Sequence, residues 1–342
     1  MANLFNRSWA RTELLNYVGD LSQIAGIKLS EWADGSERGL RVADFRTGSG
    51  LAFTVLLDRG MDIGPAWYKG MPLAWVSPTG WGHPMYYDPQ GTGWLRTFGA
   101  GLLTGCGLTY AGAPGEDEGE SFGLHGRLSH LPAQRLHTDE AWQGDECSLW
   151  VEGEMRQARV FGENLRLKRR ITAELGGSRI AIRDLVENLG VMESPLMILY
   201  HINLGFPLLD ETSELVTEPH PVEPRDAAAE PGLGDWMRFQ KPTPGYVEQA
   251  FYHDLPADKN GWAKVQLVNR ARKLGVCVRF QKAALPNLVQ WKMMGQSNYV
   301  LGIEPANCRA AGRSLERARG SLQFLQPGEQ REFQVEIKVI EG

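Results

Sequence analysis

Residues 165–173 read Leu-Arg-Leu-Lys-Arg-Arg-Ile-Thr-Ala, and residues 332–339 read Glu-Phe-Gln-Val-Glu-Ile-Lys-Val. In the first run Leu165, Leu167, Ile171 and Ala173 alternate with Arg166, Lys168, Arg170 and Thr172. In the second, Phe333, Val335, Ile337 and Val339 alternate with Glu332, Gln334, Glu336 and Lys338. A period of two is the signature of a strand with one buried face and one wet face. Further strand candidates cover residues 40–45, 52–57, 147–152, 179–186, 196–202, 264–268, 276–281, 288–292 and 299–303. Gly176-Gly177 and Pro327-Gly328 supply turns between them. Many strands joined by Gly-rich connections predict an all-β fold, a large antiparallel β-sandwich with few short helices. One helical segment is expected within residues 1–20, where Trp9, Leu14, Leu15 and Val18 recur at helical spacing and Ser8 is placed to cap it.

The 342 residues are read as one domain, since β-sandwiches reach this size as a unit. A hydrophobic fraction of 42% with 23% charged residues is that of an ordinary globular chain. The net charge of −5 argues against nonspecific nucleic-acid binding, which needs a basic face. Cys106, Cys147, Cys277 and Cys308 are far apart, form no C-x-x-C pair, and are read as free buried thiols. No stretch reaches the ~18 apolar residues of a membrane span, and the first residues do not resemble a secretory signal. A cytoplasmic location is therefore expected.

Two stretches interrupt the strand pattern: residues 60–126, rich in Gly, Pro and aromatics, and residues 209–256, rich in Pro and acidic side chains. Long loops in a compact protein are commonly functional, and both flank histidine segments, so both are read as walls of a cleft. Four short segments carry candidate chemistry: 58–64 (Asp-Arg-Gly-Met-Asp-Ile-Gly), 123–127 (Gly-Leu-His-Gly-Arg), 200–205 (Tyr-His-Ile-Asn-Leu-Gly) and 301–307 (Leu-Gly-Ile-Glu-Pro-Ala-Asn). His201 and Glu304 each close an apolar strand. A polar group there projects into a cleft from rigid backbone, and a carboxylate with an imidazole is an acid–base pair usable near neutral pH. Arg59, His125 and Lys292 are candidates for holding hydroxyl groups, and the tryptophans suit the C–H faces of a sugar ring. Each also has a plain reading: a hydrogen-bonded structural histidine, a turn-capping Glu304, a surface ion pair at Arg59, a solvated Lys292. No H-x-H or H-E-x-x-H spacing occurs, and no G-x-G-x-x-G loop, so neither a metal nor a nucleotide cofactor is expected.

From about residue 41 onward these segments resemble the aldose 1-epimerase, or galactose mutarotase-like, superfamily. The resemblance implies its large antiparallel supersandwich fold and no cofactor. It implies that Glu304 and His201 are the catalytic pair, that His125 contacts substrate and, by a weaker match, that Arg59 does; Asn203, beside His201 in the same segment, and Lys292 are read as further substrate contacts. The family also has an aspartate between these two that binds sugar hydroxyls. Here Asp235 and Asp254 lie in the interval without matching flanks, and His253 or Lys292 are possible substitutes.

The activity implied is interconversion of sugar anomers, with Glu304 taking the proton of the C1 hydroxyl and His201 delivering one to the ring oxygen. That scheme expects a charged Glu304 beside a protonated His201, stabilised by their attraction. Two other readings stay open: an isomerase or lyase abstracting a carbon-bound proton from a keto- or modified sugar on the same scaffold, and a carbohydrate-binding protein without catalysis. The sequence leaves the oligomeric state open.

Overall fold

The computed structural model describes residues 1–341. Three antiparallel sheets carry the architecture. An eight-stranded sheet runs in the order Gln134–Gln143, Glu146–Ala158, Asn164–Glu174, Arg179–Asn188, Gln330–Glu341, Leu274–Gln281, Trp262–Asn269, Ser213–Val216. The two runs quoted first lie within it: Ile171 pairs with Ile182, and Ile182 with Val335, so one apolar row crosses three strands. A seven-stranded sheet, the site sheet, runs Val222–Pro224, Gln249–His253, Asn287–Met294, Tyr299–Ala306, Ser194–Gly205, Gln323–Leu325, with Thr104–Leu108 also paired to Ser194–Gly205. A five-stranded sheet spans residues 26–72.

Alternation sorts the site sheet's two faces. Ile198, Tyr200, Ile202, Leu301 and Ile303 join a large core with Leu165, Leu167 and Ile171 of the eight-stranded sheet and Phe45 and Phe53 of the five-stranded one. The opposite face packs Met197, Leu199 and Ala306 against Trp94, Phe98 and Cys106. The interleaved positions on that second face are where the candidate residues fall. The four cysteines are free and buried. No helix is long and apolar enough to cross a membrane.

The start of the chain differs from expectation. Ala2–Leu4 pairs with Arg7–Trp9 as a hairpin, and the helix is five residues long, Arg11–Leu15. Phe5 and Asn6 both take left-handed φ values, 55° and 62°, the conformation a two-residue hairpin turn needs. Ser8 therefore sits in a strand, hydrogen-bonded to Asn3 at 2.7 Å, and Ala10 occupies the N-cap without a side-chain bond. The acidic excursion at 209–256 is not a free loop: it gives Ser213–Val216 to one sheet and Val222–Pro224 and Gln249–His253 to another.

Candidate active site

The strand Ser194–Gly205 pairs with Tyr299–Ala306 through Ile202–Ile303 and Asn203–Gly302. That register sets His201 opposite Glu304. Their Nε2 and Oε1 atoms are 3.2 Å apart, and the residues are 5% and 3% exposed. Residues one hundred positions apart thus meet as cross-strand neighbours, on rigid backbone, at the second face of the site sheet. Phe98, His125 and Trp291 surround the His201 ring at centroid distances of 5.4, 5.8 and 5.4 Å. Trp94 stands 4.9 Å from His125, and Trp75 stands 6.3 Å from Trp291.

His125 comes from the long aromatic-rich stretch. Its φ of 57° is left-handed, an uncommon state for a non-glycine residue. Its backbone N–H donates to Gly112 O at 2.9 Å and its carbonyl accepts from Gly107 N at 3.1 Å, which pins the turn. A pocket lined by Tyr87, Tyr110, Phe122, Gly126 and Arg127 lies next to this turn; His201 and Glu304 do not line it.

Burial dominates the electrostatics. It pushes the Glu304 carboxyl up to about 8, opposed by the nearby positive charge of Arg225. It pushes His201 well below the ordinary imidazole value and His125 down to about 4. Loss of solvation disfavours both charged forms, so burial works against the expected ion pair and favours a protonated Glu304 beside a neutral His201.

Four buried polar atoms here have no hydrogen-bond partner: His125 Nδ1, His201 Nδ1, Asn203 Oδ1 and Glu304 Oε1, the last close to Nε2 but not aligned with it. Buried polar groups are nearly always satisfied, so this grouping singles the place out as the candidate site. Among the described residues no group of three or more His, Cys, Asp or Glu side chains is arranged to hold a metal.

The remaining candidates are held largely by the protein's own groups. Arg59 is buried and donates to Gly82 O and to Thr97 O (2.8 Å), with His130 at 3.4 Å; these bonds tie loops together. Lys292 pairs with Leu301, so it projects from the core face of the sheet, and its Nζ donates to Asp235 O at 3.0 Å. Asn203 shares the face of His201 but is fully buried, its Nδ2 donating to Gly101 O and His201 O. It favours the charged form of the imidazole, which makes it a support for His201. His253 is bound to His220 (2.8 Å) and Gln290 (3.0 Å), and Asp254 to Lys282.

Two residues that the sequence reading passed over, Arg225 and Glu248, act on the charge of Glu304. Arg225 donates to Asp226 at 2.8 Å and to Glu248 at 3.0 Å, and Glu248 accepts from the Trp291 indole N–H at 2.7 Å. The register explains the grouping: Arg225 N–H bonds Ala250 O, Ala250 pairs with Trp291, and Trp291 pairs with Gly302. One row across four strands carries the rim toward Glu304. No local motif signals Arg225 or Glu248. Trp291 was legible by parity, since it alternates with Lys292.

Solved structures place this sheet arrangement in the aldose 1-epimerase and galactose mutarotase-like fold. A candidate aldose 1-epimerase from Klebsiella pneumoniae superimposes with a TM-score of 0.88 at 25% identity, covering 92% of this chain and 83% of the other. A galactose mutarotase-like protein from Clostridium acetobutylicum gives 0.63 at 14% identity, covering 94% and 100%. The galactose 1-epimerase of Lactobacillus acidophilus gives 0.60 at 14% identity, covering 93% and 99%. Within that fold the chain belongs to the family described as a domain of unknown function, DUF4432, which matches residues 37–339. No curated protein matches the sequence.

Proposed function

We propose that the protein is an aldose 1-epimerase that interconverts the anomers of a free sugar, with Glu304 and His201 as its acid–base pair. One observation carries this reading: two buried groups of opposite proton affinity meet at 3.2 Å beneath aromatic rings, with orphaned polar atoms around them. The likeness to the Klebsiella pneumoniae protein supports it; the more distant structures share the fold alone. The uninterrupted family match supports treating the chain as one domain.

Anomer exchange needs the O1–H proton removed, a proton given to the ring oxygen, and the C1–O5 bond broken as C1=O1 forms. Transfer of the shared proton from Glu304 to His201 generates the carboxylate and imidazolium without changing the total charge. The hydroxyls of an entering sugar and the nearby Arg225 favour that charge-separated form. Glu304 then takes the O1–H proton and His201 Nε2–H donates to O5. After rotation about C1–C2 the two transfers reverse. Each is worth about 10²–10⁴-fold. His125 binds a sugar hydroxyl, and Trp75, Trp94 and Trp291 take the apolar ring face.

The test is NMR exchange spectroscopy or polarimetry on a panel of free aldoses. Acceleration by the native protein, lost in Glu304→Gln, is the expected result. No acceleration of any sugar in the panel overturns the reading. Deuterium entering C2 in D₂O would replace it with carbon-proton abstraction.

A further inference from the structure

Gly302 has no conformational need to be glycine: it lies inside the strand Tyr299–Ala306 with Asn203 on one side and Trp291 on the other. Its reason is spatial. A Cβ built at this position would lie 2.5 Å from Glu304 Oε1 and 2.9 Å from Trp291 Cβ. Residues two apart on a strand share a face, so the Glu304 side chain folds back along its own strand and lays its carboxyl over the bare backbone of Gly302. The orientation that results brings Oε1 to His201 Nε2. Trp291 closes the other side of the seat, and Glu248, itself held by Arg225, fixes the indole N–H.

We propose that Gly302 is a positioning residue: its missing side chain forms the seat that selects the folded-back conformer of Glu304 and aims the carboxyl at His201 and the reacting oxygens of the sugar. The proposal rests on Glu304 being the site's proton acceptor. A methyl at 302 forces the carboxyl out by an ångström or more, because the alternative, moving Trp291, is opposed by its strand pairing and its bond to Glu248. Misplacement of a reacting group by about 1 Å costs up to about 10²-fold in rate. The same logic explains why the pair can be buried this tightly: the sheet supplies the volume of one absent side chain to hold one extra carboxyl.

Two measurements on Gly302→Ala test this. With the fastest sugar of the aldose panel, kcat should fall about 10²-fold while KM changes little, because His125, Trp75 and Trp94 are untouched and Trp291 is held by its strand pairing and its bond to Glu248. A generally loosened site would raise KM as well, and an unchanged kcat overturns the proposal. The second measurement needs no activity. The loss of thermal stability caused by Gly302→Ala should be larger in the native background than in Glu304→Ala, where the carboxyl clash is gone and only the contact with Trp291 Cβ remains. Equal losses in both backgrounds overturn the proposal. If the native protein accelerates no sugar, the enzymatic reading falls while the stability cycle still decides whether Gly302 seats Glu304.

Discussion

Two buried polar clusters lie on either side of the site sheet, and they are built differently. On the core side Arg169 donates to both oxygens of Asp184, at 2.9 and 2.7 Å, and to Gly60 O at 3.0 Å. Tyr200 OH donates to Asp184 at 2.7 Å, and Asp62 accepts from Gly105 N at 2.7 Å while lying 3.8 Å from the guanidinium. No buried atom of this knot is without a partner. On the other side His125, His201, Asn203 and Glu304 leave four atoms unpartnered. Tyr200 and His201 are consecutive, so adjacent residues of one strand serve the two clusters. A satisfied buried network ties sheets together; one with unpartnered atoms carries a cost in stability, which the proposed role in sugar binding would account for.

The largest effect should come from breaking the satisfied side. Arg169→Met leaves Asp184 buried without its cation and should lower unfolding stability by about 3–5 kcal/mol in urea titrations. A loss below about 1 kcal/mol would mean the knot is dispensable. Glu304→Gln should act in the opposite sense on stability while cutting anomer exchange by about 10²–10⁴-fold. A simultaneous gain in melting temperature and loss of rate is the behaviour of a residue kept for function.

The stability gain has a pH signature. The fold raises the Glu304 carboxyl from 4.5 to about 8, so it favours the protonated form. Its contribution is full below about 4.5 and is lost as pH rises through about 8. The melting-temperature advantage of Glu304→Gln should therefore be small at the acid end of this window and grow across it. His125 works the other way: burial lowers it to about 4, so its neutral form is favoured, and the associated stability is lost as pH falls from 6.5 toward that value. Calorimetric scans of both proteins across the range separate the two; a flat difference for Glu304→Gln would place that carboxyl in water.

The sheets were legible because the chain alternates so regularly, and the pair was legible as polar residues in apolar runs, although His201 and Glu304 lie inside the strands Ser194–Gly205 and Tyr299–Ala306 and do not end them as expected. What the sequence hid was mostly a matter of parity and register. Arg169 reads as one of three basic residues in a wet run, yet its odd position places it inward with Leu167 and Ile171, where it is fully buried. Arg225 and Glu248 have no local signature, because they reach the site only through a row spanning four strands. The N-terminal residues show helical spacing, but the left-handed turn at Phe5-Asn6 decides for a hairpin.

Trp291 and Lys292 offer the smallest and sharpest contrast, since consecutive strand residues point to opposite faces. Trp291→Leu removes the ring beside His201 and the anchor of Glu248, and should weaken sugar binding by about the 0.5–1.5 kcal/mol of an aromatic contact, read as a raised KM. Lys292→Met keeps the aliphatic stem against Phe239 and loses one bond to Asp235 O. Burial already disfavours the charge of this lysine, so the substitution should cost about 1 kcal/mol or less in stability and leave both kcat and KM as they are. A Lys292→Met protein with a raised KM would return this lysine to the sugar and show that the strand's two faces are not separate in solution.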